Sequence, residues 1–114
     1  MNGIVEKPWG YFEIINIGTK FLLKKIVVKP EGVLSLQSHK HRSEHWIVAE
    51  GIAEVTINDK INILKENNNI FIPKGAIHRL SNKGDINLII FEMWYGDILD
   101  ENDIKRYEDI YKRT

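Results

Sequence analysis

The 114-residue sequence contains no cysteine, so it has no disulfide framework, no thiolate metal ligand and no thiol nucleophile. Any metal it binds must use histidine, carboxylate or amide ligands. It also lacks an excess of charge of either sign, since sixteen Lys plus Arg balance sixteen Asp plus Glu. With no net positive field to hold a polyanion, nucleic acid and an anionic membrane surface are not expected as partners, and a small ligand is. No apolar run approaches the roughly 20 residues that span a bilayer. Residues Met1 to Gly10 carry charges and Pro8 where a signal peptide needs an apolar stretch. A cytoplasmic location is expected. The length provides for one hydrophobic core and not for a second catalytic unit, so residues 1–114 are read as a single domain.

What the chain does have is short apolar runs rich in Ile and Val, broken at regular intervals by turn chemistry, the pattern of an all-β sandwich or barrel. Strands are expected at about 11–17, 20–29, 34–38, 44–50, 52–58, 61–65, 69–72, 77–81 and 86–94. Lys29-Pro30-Glu31-Gly32 reads as a turn, with Pro presetting φ and Gly taking the unusual conformation. Glu50-Gly51 offers a tight reversal. Around Asn58-Asp59, polar and apolar residues alternate on both sides, which predicts a hairpin with one buried face. Asn67-Asn68-Asn69 reads as a loop whose first residue tolerates left-handed backbone. Only the tail departs from the β pattern. Asp100 is placed to cap a helix, and Ile104, Tyr107, Ile110 and Tyr111 recur at helical spacing, so one short C-terminal helix is expected.

Three of the four histidines, His39, His41 and His45, fall inside seven residues, and the fourth, His78, lies in a second turn-flanked segment. Strand alternation would put Gln37, His39 and His41 on one face. Glu44 would share a face with Trp46 and Val48 and point inward, where a carboxylate is costly unless it is paired or bound to a cation. Two imidazoles, a carboxylate and a remote histidine together form a nitrogen and oxygen site for a divalent transition metal.

These residues also carry a resemblance. Gly32, His39-x-His41, Glu44 and Gly51 resemble the first motif of the cupin superfamily, and Pro73-x-Gly75-x-x-His78-x-x-x-Asn82 resembles its second. The fold this implies is a double-stranded β-helix, or jelly-roll barrel. Over nearly its whole length the chain is similar to one cupin family, the isomerase domain of type II mannose-6-phosphate isomerases, which is often fused behind a mannose-1-phosphate guanylyltransferase. The signatures are Lys7-Pro8-Trp9-Gly10, Leu34 to Trp46, Ile72 to Leu80, and Glu101-x-Asp103-Ile104-x-Arg106 with Asp109. The departures are Lys7 in place of the usual Arg, a less typical stretch at Met93 and Trp94, and Lys112 before Arg113. The Gly-rich nucleotide loop of the guanylyltransferase does not occur, so the resemblance implies isomerisation and not nucleotidyl transfer.

The usual cupin spacing leaves more residues between the second histidine and the glutamate than the two found here, Arg42 and Ser43. If Gln37 and His39 take the two first positions, the set Gln37, His39, Glu44 and His78 resembles the zinc site of type I phosphomannose isomerases. His39, Glu44 and His78 are thus the expected ligands, with Gln37 and His41 competing for a fourth place. One divalent metal is expected, zinc first, with manganese, iron, nickel or cobalt chemically admissible.

The resemblance implies that the protein interconverts mannose 6-phosphate and fructose 6-phosphate through an enediol. The metal would act as a Lewis acid, and His41 would be the preferred base because alternation puts His45 opposite Glu44; Glu13 or Glu92 could compete. Arg42 and Arg79 would clamp the phosphate, and Lys24, facing opposite to Lys25, would point into the cavity. Trp9 and Trp46 are read as packing. Two further readings stand beside this one: a non-catalytic cupin that binds metal or sugar, and an isomerase or epimerase of nucleotide sugars in polysaccharide synthesis. A homodimer paired through edge strands is expected.

Overall fold

In the computed structural model, which describes residues 3–111, the described chain forms eleven strands in two antiparallel sheets. The strands are β1 (Ile4–Lys7), β2 (Gly10–Ile17), β3 (Phe21–Val28), β4 (Leu36–Ser38), β5 (Arg42–Glu50), β6 (Ala53–Ile57), β7 (Lys60–Leu64), β8 (Asn69–Ile72), β9 (His78–Ser81), β10 (Leu88–Gly96) and β11 (Lys105–Glu108). One sheet runs β1-β2-β3-β10-β5-β8 and the other β11-β4-β9-β6-β7. This is the expected all-β barrel. Strand β1 and the strand character of β11 were not anticipated. The family departure at Lys112 lies outside the described residues.

The turns follow local chemistry. Asn58 and Asp59 both take positive φ, at 45° and 73°, and Val55 pairs with Asn62 across the hairpin they close. This twist suits the flanking strands, and Asn and Asp tolerate it. Asn67 is left-handed, at φ 72°. In the Lys29–Gly32 turn, closed by Gly32 N–H donating to the Lys29 carbonyl at 2.9 Å, the left-handed residue is Glu31 and not Gly32. Proline at the second position puts the positive φ at the third.

The expected C-terminal helix is not formed. Asp100 does organise a turn, accepting the Asn102 N–H at 2.8 Å, but the chain then extends, and β11 pairs with β4 as Lys105 opposite Ser38 and Arg106 opposite Gln37. The apolar spacing is real, but tertiary bonding overrides it. Tyr107 meets Ser38 at 3.0 Å, Arg79 meets Glu108 at 2.7 Å, and Val33 N–H donates to the Tyr111 hydroxyl at 3.4 Å.

Alternation on the three central strands makes a barrel with two unlike ends. The inward positions run Val28, Ile26, Lys24 on β3, Leu88, Ile90, Glu92 on β10, and Val48, Trp46, Glu44, Arg42 on β5, all of them buried. The register pairs Val28 with Leu88, Ile90 with Val48, Lys24 with Glu92, and Trp94 with Glu44. The change from apolar to charged therefore falls at the same end on every strand. The apolar end, with Val55, Leu80 and Ala53, forms the core. The other end is the site.

Candidate functional site

His39, Glu44 and His78 converge at the charged end. One ligand-competent atom from each lies within 4.8 Å of the others, and all three residues are buried. Glu44 is held inward by β5, between Arg42 and Trp46. His78 opens β9 opposite Gln37 of β4. His39 lies just past the end of β4, in the turn leading to β5. Its Nε2 is 3.3 Å from Glu44 Oε2, and the two imidazole rings are 5.0 Å apart.

The hydrogen bonds determine which nitrogens face the centre. His39 Nδ1 lies 2.8 Å from the Asp103 carbonyl and His78 Nδ1 lies 3.0 Å from the Ala76 carbonyl. A carbonyl only accepts, so each Nδ1 carries the proton and each Nε2 has a lone pair. Burial lowers the His39 pKa to about 4, with Arg42 adding to the effect and Glu44 opposing it, and burial likewise lowers His78. Both rings are therefore neutral near pH 7. Burial alone would raise Glu44, but the Arg42 guanidinium, then His39, His78 and the Trp46 indole, bring it down to about 2. Two neutral imidazoles with fixed tautomers and one carboxylate fit a divalent metal, as does the anchoring of each ring through its other nitrogen.

Glu44 and His78 line a cavity of about 90 Å³, while His39 borders a neighbouring surface pocket with Lys40 and Asp103. Lys7, Lys24, Arg42, Arg79 and Arg106 also line the cavity, together with Gln37, Glu92 and Trp94. The side chains are tied to one another. Arg42 donates through Nε to Glu44 at 2.7 Å and stacks on Trp94, its guanidinium carbon 3.3 Å from the ring centroid. Lys24 lies over Phe12 and Trp94 and pairs with Glu101 at 2.9 Å. Arg79 donates to Glu108 and to the Leu34 carbonyl. Burial and the Glu44 charge push Glu92 up to about 8, against the pull of Lys24, the Trp94 indole and Arg42. Glu92 is thus a neutral acid at pH 7.

The remaining expected site residues lie as follows. Gln37 lines the cavity, its amide nitrogen turned to Ser35 Oγ at 2.9 Å. His41 is half-buried in the β4–β5 connection; its backbone N–H donates to Asp103 at 2.8 Å, and its side chain is neither among the cavity lining nor in the His39, Glu44 and His78 group. His45 is exposed on the outer face, 3.0 Å from Asn69. Trp9 is core, while Trp46 packs and also donates to Glu44 Oε1 at 2.8 Å. Sequence reasoning gave no role to Lys7, Glu101 or Arg106 as cavity residues, nor to Asp103. Asp103 accepts from the backbone of Lys40 and His41 and so fixes the His39 turn. Their signals were the Lys7-Pro8-Trp9-Gly10 and Glu101-to-Arg106 signatures, the second of which falls in the segment where helical spacing had predicted a helix.

Residues 1–109 match the family described as Mannose-6-phosphate isomerase C-terminal. The chain belongs to this family. It is 49% identical over 110 residues to the xanthan biosynthesis protein XanB of Xanthomonas campestris, covering 96% of this chain and 24% of that protein. It is 46% identical over 114 residues to the mannose-1-phosphate guanylyltransferase ManC of Salmonella typhimurium, covering 100% and 24%. The chain thus spans about a quarter of the length of these relatives, one of which is named as an enzyme. An RmlC-like cupin from Shewanella frigidimarina superposes with a TM-score of 0.76 at 16% identity, covering 89% of this chain and 87% of that one, which shows the cupin fold.

These relatives correct one expectation. The resemblance implies interconversion of mannose 6-phosphate and fructose 6-phosphate, whereas these relatives are named for guanylyl transfer and xanthan synthesis and are some four times longer. The physical reason is that the shared motifs specify a backbone and a ligand cage, and neither specifies a reaction. Among the described residues no helix is long and apolar enough to cross a membrane.

Proposed function

We propose that residues 1–114 form one cupin module that binds a divalent metal and a small anionic sugar, in the service of polysaccharide-precursor synthesis. His39, Glu44 and His78 would hold the metal. Gln37, opposite His78 and lining the same cavity, would take the fourth place ahead of His41. When bound, the metal supplies a Lewis-acidic anchor for a sugar oxygen. The chain's own residues do the rest. Neutral Glu92 can donate a hydrogen bond, and Lys7 and Arg106, which have no acidic partner among the described residues, can meet a phosphate together with Arg79. Arg42 and Lys24 are already engaged with Glu44 and Glu101.

The observation that carries this reading is the convergence of two tautomer-fixed imidazoles and a carboxylate, with His78 and Glu44 opening on a cavity lined by cations. An isomerase or epimerase of nucleotide sugars is the second reading, favoured by the relative named for guanylyl transfer. The name of a relative in xanthan biosynthesis supports the assignment to polysaccharide synthesis. A homodimer remains part of the proposal, with β1 and β8 as the free edges of the larger sheet, and light scattering on the purified chain tests it.

The ligand test is calorimetric titration of zinc-loaded protein with hexose phosphates and with a nucleotide sugar. Hexose phosphate should bind in a zinc-dependent way, and His78→Ala should abolish that dependence. Zinc-independent binding, or tighter binding of the nucleotide sugar, would overturn the reading.

A further inference from the structure

Two of the three residues that would hold a metal have their ligand atoms engaged by other side chains. Arg42 donates through Nε to Glu44 Oε2 at 2.7 Å and through Nη2 to His39 Nε2 at 3.2 Å. Glu44 Oε1 is taken by the Trp46 indole. Arg42 is only 4% exposed, and no buried side-chain nitrogen or oxygen among the described residues lacks a partner. One guanidinium thus takes an oxygen of Glu44 and the lone pair of His39.

That arrangement excludes a metal on simple valence grounds. With its Nδ1 protonated, an imidazole has one lone pair, on Nε2, and it cannot both accept an N–H and coordinate an ion. Arginine does not deprotonate in proteins, so it cannot yield by losing its charge. Two positive centres sharing one carboxylate oxygen in a buried site repel strongly. The guanidinium has an alternative perch, because it stacks on Trp94 and its Nη1 reaches the Asp100 carbonyl at 3.4 Å.

We propose that Arg42 is the resident cation of this cage, a built-in competitor that a divalent metal must displace, and that it therefore sets the affinity and rate of metal loading. The inference rests on the reading of His39, Glu44 and His78 as metal ligands. It adds that Arg42 and a metal compete for the same oxygen of Glu44 and nitrogen of His39.

The test is competitive titration of chelator-stripped protein with zinc against a chromophoric chelator, using wild type, Arg42→Met, Arg42→Lys and His78→Ala. Arg42→Met should bind zinc at least tenfold more tightly than wild type. It should also melt lower in EDTA and gain more from added zinc. Arg42→Lys, whose ammonium cannot bridge both acceptors, should fall between the two and covers the case in which the methionine variant fails to fold. In wild type, the Arg42 Nε–H NMR resonance should move in step with zinc occupancy. Equal or weaker zinc binding by both Arg42 variants, or an unmoved resonance at saturation, would overturn the proposal. Wild-type binding that is lost in His78→Ala upholds the metal reading whichever way Arg42 behaves. No binding by any variant removes both.

Discussion

Glu44→Gln measures how much the buried charge network contributes to the metal-free fold. The carboxylate is 3% exposed and accepts from Arg42 at 2.7 Å and from Trp46 at 2.8 Å. Glutamine keeps an oxygen for the indole but presents an amide N–H₂ to the Arg42 Nε–H, donor against donor. The Arg42 guanidinium, with His39 and His78, brings the carboxyl pKa down to about 2 against the upward pull of burial, and removing one partner of such a buried pair costs about 3–5 kcal/mol, because the other charge is stranded. With about 2.1 cal/mol/K per residue over 114 residues, a loss of about 3 kcal/mol lowers Tm by about 13 °C.

The pH dependence separates this mechanism from a packing defect. A depressed carboxylate contributes stability that is present above its unfolded pKa and is lost as pH falls through the folded one. The gap between wild type and Glu44→Gln should therefore be full at pH 7, about 3 kcal/mol or more, and narrow as pH falls from about 4.5 toward 2. Urea unfolding followed by circular dichroism in EDTA, at pH 7, 5 and 3, measures it. A gap under about 1 kcal/mol at pH 7, or one unchanged down to pH 3, would refute the reasoning.

Two other substitutions test neighbouring parts of the argument. Glu92, raised to about 8, binds its proton in the fold across a window in which the unfolded chain has lost it, so wild-type stability falls as pH rises from about 4.5 to 8. Glu92→Gln removes that loss and should gain on wild type by about 1.4 kcal/mol per pH unit between pH 5 and 8 in urea unfolding; a constant difference would show that the acid is ionised. Asn82, 1% exposed, donates to the Val28 and Ile86 carbonyls at 2.8 and 2.9 Å and accepts from Gly84 N–H at 2.9 Å. Asn82→Ala should cost about 3 kcal/mol in the same assay with zinc affinity unchanged, since the last residue of the second motif pins a loop and does not touch the cage. A loss of zinc affinity would contradict that division.

The inward face of β5 was legible because alternation survives there without interruption. Glu44, Trp46 and Val48 point where period-two counting puts them, and His45 points away. Lys24 was legible for the same reason, since of two adjacent lysines in a buried strand one must face inward. The tail was not legible. Ile104, Tyr107 and Ile110 have helical spacing, and nothing local says that β4 has a free edge needing a partner or that Arg79 and Ser38 stand ready to bond with an extended chain. Strand addition is a non-local interaction, and period counting sees only local ones.

The histidines show the same limit at the scale of two residues. Counting parity from Gln37 through His41 assumes an unbroken strand, but β4 ends at Ser38 and the chain turns at Lys40. His39 reaches the cage because Asp103, more than sixty residues away, holds the Lys40 and His41 amides and offers its own carbonyl to the His39 ring. His41 is carried elsewhere by the same turn. The ligand types could be read from the sequence because chemistry restricts which residues can bind a metal. The turn that selects among neighbouring histidines could not, because it is imposed by a distant segment. The guanidinium on the ligand atoms was hidden for a related reason: Arg42 and Glu44 are two apart on one strand, and only the burial of their shared face turns that spacing into a closed ion pair.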